Sequence, residues 1–283
     1  MMEIYYVNSK GIRLDLLKPP YLLQTGDFFN YIWGYDSVDT SALSGKITDF
    51  IRGVTEKTML LSILNYSKDA YYDAINHFHE TVEYDVLHKQ AGRLYIGEQY
   101  WQCYIIASDI TEWENDIEVL DNQITFVAEH PFWIKEEKHE FKLSTNADKT
   151  GEYLDFDFDI PFDLTGDAIG VGTIEFEHYS PCDFLMAIYG PCTNPRITIN
   201  NHTYEVKTKL DKGEYLVIDS FAGTVYRMRT NGIRVNEFDK KNNENGSIFE
   251  KIQPGYNLIS WDGSFGFDIL IYLKRSTPKW KRR

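Results

Sequence analysis

Four aspartates in one short segment are the first residues whose type and spacing could do chemistry. Asp155, Asp157, Asp159 and Asp163 could bind Ca²⁺, or two of them could act as the acid and the base of glycoside cleavage. They alternate strictly with the apolar residues of segment 154–164, which is the pattern of an antiparallel strand with one face in the core and one in water. We therefore interpret them as a solvent-facing row.

A second acidic segment resembles a calcium loop only in its length. Residues 239–250 begin with aspartate and end with glutamate, as an EF-hand loop does. Lys241 occupies a place that needs an oxygen ligand, and Glu244 stands where the sharp turn needs glycine. The pair Asn245-Gly246 is typical of a hairpin turn instead. The sequence therefore predicts no metal site here.

The histidines form no local ligand pattern. His77 and His79 are two residues apart on a predicted helix, about 200° around its axis, so they cannot hold one ion. His79 and Glu83 are better spaced but have no further ligand. No nucleophile elbow, phosphate-binding loop or dinucleotide-binding glycine fingerprint occurs. We predict no catalytic residue, no metal and no cofactor; a hydrolase with carboxylates far apart in the sequence is an alternative.

The composition is typical of an aromatic-rich β protein. Hydrophobic residues make up 43% and aromatic residues 15% of the 283 residues, and tyrosine and phenylalanine favour half-buried pleated surfaces. The length suggests two domains. The sequence contains no run of about 18 apolar residues, and its start lacks the layout of a signal peptide. With three cysteines at an unfavourable spacing for a disulfide, we expect free thiols in a reducing cytoplasm and no membrane contact.

The net charge of −14 is unevenly distributed. Residues 1–140 contain 11 basic and 23 acidic side chains, whereas residues 141–283 contain 18 and 20. The second half is nearly neutral because its last ten residues carry six bases. An acidic surface disfavours a groove that grips DNA or RNA, but it suits a channel wall past which DNA moves without adhering. A solvated acidic surface that aids solubility is the alternative.

One helix is predicted within a first half that otherwise consists of short strands. Ser67 can cap its first turn, Asp69 suits its positive end, and apolar residues then recur with helical spacing. We expect the helix from residue 68 to about residue 81. The apolar stripe consists of Tyr71, Ala74, Ile75, Phe78 and Val82. Strands are predicted at residues 3–7, 11–16, 46–54, 58–65, 93–113 and 121–133, the last broken at His130-Pro131.

A polar stretch at residues 135–150 separates two predicted domains, 1–138 and 150–283. Beyond it, apolar and polar residues alternate with the period of a strand, and no helix is indicated. Asn200-Asn201 and Asp262-Gly263 can form two-residue hairpin turns. We predict a mostly β protein, with an α+β first domain that contains one helix and an antiparallel β-sandwich as the second domain.

The order of these segments resembles the distal tail proteins of long-tailed, siphovirus-type bacteriophages and prophages. The chain opens with a strand, a glycine and a strand, and continues with a central helix and the segment AGRLYIGEQYWQCYIIASDI. A strand then closes in Ile124-Thr125-Phe126. The remaining motifs that carry the resemblance are Pro131, Phe132 and Trp133; Pro195, Ile197 and Ile199; Leu216, Ile218 and Asp219; and Gly255, Asn257 and Ile259. The resemblance covers essentially the whole chain.

The resemblance implies a structural protein of the tail tip, or baseplate, of a virion. It implies a ring-forming N-terminal belt domain, typically hexameric, a galectin-like C-terminal sandwich, and assembly in the cytoplasm of a bacterial host. The implied partners are other copies of the chain, the tail tube protein, a tail-associated fibre or lysin protein and receptor-binding proteins, with DNA passing through the channel without specific binding. The family has no catalytic residues to transfer, and the His-x-Asn-x-Arg strand with which true galectins bind sugars is absent here.

The C-terminal segment supplies the candidate binding residue, Trp280. It lies among the six bases of residues 274–283, and Pro278 limits helix formation there. We interpret Trp280 as an anchor on an acidic neighbour, either the first domain of an adjacent subunit or a docked partner; a frayed, solvated terminus is the alternative. For the whole chain, the leading alternative is a lectin-like, carbohydrate-binding protein of two β domains, because exposed aromatic rings can stack on sugars.

Overall fold

The computed structural model of the chain describes residues 3–41, 43–113, 119–143, 170–244 and 246–280. The chain divides into two units. Unit 1 comprises Met1–Lys135 together with Lys274–Arg283, and unit 2 comprises Glu136–Leu273. Unit 2 is thus an insertion in the sequence of unit 1, whereas the prediction assigned the last ten residues to the second domain.

Unit 1 is built from antiparallel strands and one α-helix. The elements are β1 (Ile4–Val7), β2 (Arg13–Asp15), β3 (Leu17–Lys18), β4 (Tyr21–Gly26), β5 (Gly34–Ser41), β6 (Ser44–Ile51), β7 (Thr55–Leu64), α1 (Lys68–His88), β8 (Gly92–Ile96), β9 (Gln99–Trp113), β10 (Val119–Ala128) and β11 (Trp133–Phe141), which continues into unit 2. Strands β3, β4, β7, β10 and β9 are neighbours in that order, and β2, β1, β8 and β9 form a second series. Strand β9 belongs to both series, because its residues 99–103 pair with β8 and its residues 104–113 pair with β10.

Large aromatic side chains fill the core of unit 1. Trp101 and Trp133 are fully buried and stack with ring centroids 6.2 Å apart, and Phe126 contacts Trp101. Helix α1 contacts β9 and β7 and contributes Phe78 to the same core. Full burial of one such side chain stabilises a fold by roughly 1.5–3 kcal/mol. The break predicted at His130-Pro131 is confirmed, since β10 ends at Ala128 and β11 begins at Trp133.

The helix begins as predicted and continues for two further turns. Ser67 caps it by accepting a hydrogen bond from the Ala70 amide at 3.3 Å. The predicted stripe faces the core, with Ile75 at its partly buried edge. Lys89 ends the helix in the left-handed conformation at φ 53°. The prediction stopped near residue 81 because Asp85, which continues the buried stripe, is polar.

Unit 2 is an antiparallel β-sandwich. The elements are β12 (Gly170–Phe176), β13 (Asp183–Tyr189), β14 (Cys192–Thr193), β15 (Arg196–Ile199), β16 (His202–Glu205), β17 (Lys209–Leu210), β18 (Tyr215–Asp219), β19 (Thr224–Met228), β20 (Arg234–Asn236), a 3₁₀ turn (Phe238–Lys240), β21 (Gly255–Trp261) and β22 (Phe267–Arg275), which ends in unit 1. One sheet has the order β20, β19, β18, β13, β22 and the other the order β12, β21, β15, β16, with apolar side chains of both sheets forming one core. The mostly β fold class with one α-helix among the described residues is thereby confirmed.

Both predicted hairpin turns of unit 2 are present. Asn200 adopts φ 52° between β15 and β16, and Gly263 adopts φ 76° between β21 and β22. Asparagine and glycine tolerate this left-handed conformation better than other residues. The alternating segment 154–164, with its four aspartates, lies outside the described residues.

Two further expectations from the sequence concern the cysteines and membrane-spanning helices. Cys103, Cys182 and Cys192 form no disulfide; the first two are buried, and Cys192 is only partly buried. Among the described residues, no helix combines the length and the apolar character needed to cross a bilayer.

Candidate interaction surface

The calcium-like segment does not assemble a ligand set. Its first residues form the 3₁₀ turn of unit 2, and the ammonium group of Lys241 lies 3.3 Å from the centroid of the Phe238 ring. Within the described residues, no group of three or more histidine, cysteine, aspartate or glutamate side chains could hold a metal ion. His202, for example, is hydrogen-bonded through Nε2 to the carbonyl of Ser247 at 2.9 Å.

Unit 2 contains a shallow cavity of about 350 Å³ beside the β15–β16 turn. Two of the amide side chains that line it, Asn200 and Asn257, bond within the protein. The Asn200 amide donates to Asn257 Oδ1 at 3.0 Å, and the Asn257 amide donates to the carbonyls of Gln253 and Gly255. The Asn200 and Asn257 side chains therefore stabilise the turn, and they are poorly placed to bind a sugar hydroxyl.

The most exposed element of unit 1 is a two-stranded hairpin, β5 and β6, which we call the arm. These two strands pair only with each other, and every described residue of both strands is exposed. Five large apolar residues lie on the arm nevertheless: Tyr35, Val38, Ile47, Phe50 and Ile51. Tyr35 is 62% exposed and lies directly opposite Phe50, which is 60% exposed. The arm therefore presents an apolar surface that none of the described residues covers.

The arm carries apolar residues on both faces. Side chains of a strand alternate between faces, so Val38 points away from the face of Tyr35. An isolated two-stranded hairpin is at best marginally stable in water. Exposed apolar surface of this extent marks interaction sites in folded proteins. The arm is therefore the candidate interaction surface of unit 1.

Residues 27–33, which we call the aromatic loop, lead into the arm. Its side chains Phe29, Tyr31, Ile32 and Trp33 are exposed or partly buried. The loop is fixed to β7 in two ways. The Asp27 amide donates to the carbonyl of Thr58 at 3.1 Å, and the Thr58 amide donates to Asp27 Oδ1 at 2.9 Å. The aromatic rings are thus held in place before any partner arrives.

A buried lysine completes the anchoring of the aromatic loop. Lys57 lies almost wholly inside unit 1, and its ammonium group donates to the carbonyls of Asp27 at 3.0 Å and Asn30 at 2.5 Å. Burial lowers the pKa of Lys57, and the nearby Asp27 carboxylate partly opposes this shift. Burying a cation is unfavourable unless its donors are used. Here the donors fix the backbone of a loop whose side chains, apart from the buried Phe28, are exposed or partly buried.

Two aromatic pairs extend the surface on either side of the loop. Trp33 contacts Phe132 with ring centroids 6.1 Å apart, and the Arg52 guanidinium lies 4.8 Å from the centroid of the Phe132 ring. Phe29 stacks on Trp280 with centroids 4.3 Å apart and planes inclined by 22°. Tryptophan, tyrosine and arginine are the residues enriched where binding energy concentrates in interfaces.

The predicted binding residue, Trp280, therefore lies on unit 1 of its own chain. The segment that carries it is held by Gln99, whose Oε1 accepts from the Lys279 amide at 2.9 Å and whose Nε2 donates to the Lys279 carbonyl at 3.4 Å. Trp280 is still 66% exposed. Its contact with a partner stays a prediction, and the described part of the terminus is ordered by side-chain contacts.

A buried carboxylate joins the N-terminal strand to helix α1. Asp85 is fully buried and accepts from the Tyr6 hydroxyl at 2.6 Å, from the Ser9 amide at 2.8 Å and from the Ser9 hydroxyl at 2.6 Å. Burial, the neighbouring Cys103 and the hydrogen bond to Asp85 raise the pKa of Tyr6, so its hydroxyl remains a donor. Gly92 lies against this pair, because a Cβ at that position would overlap the Tyr6 hydroxyl and the Asp85 carboxylate.

Solved structures with the same fold come from phage adsorption devices. The Dit protein of phage SPP1, described as a paradigm of the hub of the adsorption apparatus in phages that infect Gram-positive bacteria, matches with a TM-score of 0.59 at 8% identity, over 97% of this chain and 99% of that chain. A chain of the phage P2 baseplate, in its activated conformation with Ca, matches with a TM-score of 0.58 at 12% identity, over 98% and 99%. A chain of the phage p2 baseplate with Sr matches with a TM-score of 0.59 at 13% identity, over 98% and 100%.

The matches to solved structures extend over both units, and at these identities they show a shared fold. No protein-family model and no curated protein sequence matches the chain. The resemblance found in the sequence is confirmed at this level: the chain has the fold of phage Dit and baseplate proteins.

Proposed function

We propose that this chain is a structural subunit of a phage tail tip that assembles through unit 1 into a ring, typically of six copies. The ring joins the tail tube to the tail-associated fibre or lysin protein and to receptor-binding proteins. The chain acts by association and carries out no catalysis. It is made in the cytoplasm of the bacterial host and functions at the tip of the virion tail.

The observation that carries the proposal is the uncovered arm. A two-stranded hairpin with large apolar residues on both faces needs a partner to be stable. The fold shared with phage hub and baseplate proteins along the whole chain supplies the setting in which such a partner is another copy of the subunit.

The charge of the N-terminal half of the sequence supports a central channel for DNA. Residues 1–140 contain about twice as many acidic as basic side chains. Carboxylates cannot pair with phosphates, so a channel lined by them lets the duplex move without adhering. If the opening of the assembled ring is instead lined by lysine and arginine, this part of the proposal is wrong.

The mass of the full-length chain in solution tests the proposal. We expect association that increases with protein concentration or on addition of tail tube protein. A triple variant of the arm, Tyr35→Ser, Val38→Ser and Phe50→Ser, should abolish association and leave the secondary structure unchanged, because these side chains are exposed. The control is Tyr66→Ser, which changes a side chain that is 96% exposed elsewhere on unit 1.

A wild-type chain that stays monomeric at high concentration, with and without tail tube protein, would contradict the proposal. Carbohydrate binding has weaker support, since the Asn200 and Asn257 amides that line the cavity of unit 2 bond to one another and to the backbone. Retention of a monomeric chain on polysaccharide would favour that alternative.

A further inference from the structure

We propose that the arm of one copy docks on a receiving surface of the next copy, formed by the aromatic loop and by the C-terminal segment with Trp280. This inference rests on the proposed function, since it specifies the contact between neighbouring subunits. It gives Trp280 a definite partner, which is the acidic, apolar hairpin of another copy of the same chain.

The receiving surface is rigid and has the composition of an interface. Lys57 and Asp27 fix the aromatic loop, and Gln99 fixes the C-terminal segment from the other side. One face of the Trp280 indole stacks on Phe29, and 66% of the residue remains exposed. Exposed aromatic side chains held at fixed positions reduce the entropy that a partner's binding must overcome.

The charges of the two surfaces are complementary. Residues 34–51 of the arm contain three aspartates and one lysine, so the arm is acidic. The described part of the C-terminal segment, residues 274–280, contains the three bases Lys274, Arg275 and Lys279 and no acidic residue. Opposite charges on two apolar surfaces favour their encounter and fix their orientation. The arm is therefore a suitable occupant for this surface, and it is present in every copy.

The arm cannot reach the receiving surface of its own chain. The arm begins directly after Trp33, which belongs to the receiving surface, and each of its two strands is eight residues long. At about 3.3 Å per residue, its tip lies roughly 26 Å from its base. A paired hairpin does not fold back on itself. The contact must therefore run from one copy to the next, and head-to-tail contacts of this kind generate closed rings or filaments.

Photo-crosslinking between copies tests the inference directly. A photoreactive phenylalanine analogue replaces Trp280 in a ¹⁵N-labelled full-length chain, which is mixed with unlabelled chain before irradiation. We expect crosslinks between labelled and unlabelled molecules to join position 280 to peptides containing residues 34–51. The same analogue at Tyr66 is the control and should yield no crosslink to the arm.

A mixing experiment provides a second, independent measurement. One variant has a defective arm, with Asp36, Asp39 and Asp49 changed to lysine. The other has a defective receiving surface, with Phe29→Ala and Trp280→Ala. Each variant alone should associate at least tenfold more weakly than the wild-type chain. Mixed together they should form a one-to-one dimer that grows no further, because each supplies the surface that the other lacks.

The outcomes separate this inference from the proposed function. If the wild-type chain assembles but position 280 crosslinks to residues outside the arm, or if the two variants form no dimer when mixed, the docking inference is wrong and the proposed function stands. If the wild-type chain does not assemble under any condition, both are wrong.

Discussion

Replacing Asp85 by alanine should destabilise unit 1 far more than the replacement of other acidic residues of helix α1. Asp85 is fully buried and accepts three hydrogen bonds from Tyr6 and Ser9. After the substitution, water can reach the exposed Ser9. The Tyr6 hydroxyl is buried, and the acceptor that remains near it is the Cys103 carbonyl, at 3.5 Å.

The size of the effect follows from these contacts. A hydrogen bond to a charged group contributes about 1.5–3 kcal/mol, and a buried donor left without an acceptor costs about 1–3 kcal/mol. Because the two serine bonds are partly replaced by water, we expect the Asp85→Ala substitution to lower the free energy of unfolding of unit 1 by about 4 kcal/mol. Tyr6→Phe leaves both serine bonds intact and should cost about 1.5 kcal/mol.

Tryptophan fluorescence during denaturant unfolding reports mainly on unit 1, which contains Asp85. Five of the six tryptophans, at positions 33, 101, 113, 133 and 280, belong to unit 1, and Trp261 belongs to unit 2. The two units are fitted as separate transitions, since a chain with two units need not unfold in one step. The double variant of Tyr6 and Asp85 should show a coupling energy of about 1 kcal/mol or more.

The matched control for Asp85 is Glu83→Ala, which removes an exposed carboxylate from the same helix. It should change the stability of unit 1 by less than about 0.5 kcal/mol. If Asp85→Ala is no more destabilising than this control, or if Tyr6 and Asp85 show no coupling, the buried carboxylate does not hold the N-terminal strand to the helix.

Three further predictions concern the cores of the two units. Gly92→Ala should destabilise unit 1 by about 2 kcal/mol in the same fluorescence assay, because the added methyl group overlaps the buried hydroxyl–carboxylate pair. Arg227→Met should destabilise unit 2 by about 2 kcal/mol, because the fully buried Glu237 loses the guanidinium that bonds it at 3.0 Å and keeps the Lys240 ammonium at 2.6 Å; the Trp261 transition measures this. In unit 2, a backbone N–H and then Arg227 lower the pKa of Glu214, so the stability that this carboxylate contributes is complete above the ordinary glutamate pKa of about 4.3 and is lost as the pH falls below it.

Each of these predictions has a control on the same unit. Gly53→Ala adds a methyl group where nothing lies within 4 Å, and it should leave stability unchanged. Lys209→Met removes an exposed cation from unit 2 and should have little effect. The Glu214→Gln variant should lose part of the acid dependence of unit 2; an unchanged profile between pH 3 and pH 7 would show that another group is responsible.

Elements with a regular apolar pattern could be predicted from the sequence. The stripe from Tyr71 to Val82 predicts α1, and Asn200 and Gly263 predict the hairpin turns, because these signals arise from local chemistry. The last two turns of α1 were missed for a physical reason. Asp85 looks like a surface residue until tertiary contacts with Tyr6 and Ser9 bury it.

The interaction surface was harder to predict than the fold. Only residues 46–54 of the arm region were predicted as a strand, because β5, with the sequence GYDSVDTS, lacks the alternation that a core imposes. Trp280 was identified as a binding residue from its neighbours in sequence, but its stacking on Phe29 joins residues more than 200 positions apart. No local pattern encodes such a contact. The Lys57 anchor of the aromatic loop likewise depends on a backbone path that the sequence does not reveal.

The insertion of unit 2 into unit 1 couples the two by chain entropy. When unit 2 unfolds, residues 136–273 become a flexible loop between Lys135 and the C-terminal segment. Closing a loop of that length costs on the order of 4 kcal/mol. Each of the two Gln99 hydrogen bonds and the Trp280 stack contributes about 1 kcal/mol. Their sum is smaller than the cost of closing the loop. The C-terminal edge of the receiving surface is therefore more stable when unit 2 is folded, so a truncated or unfinished chain should accept a neighbour's arm less readily.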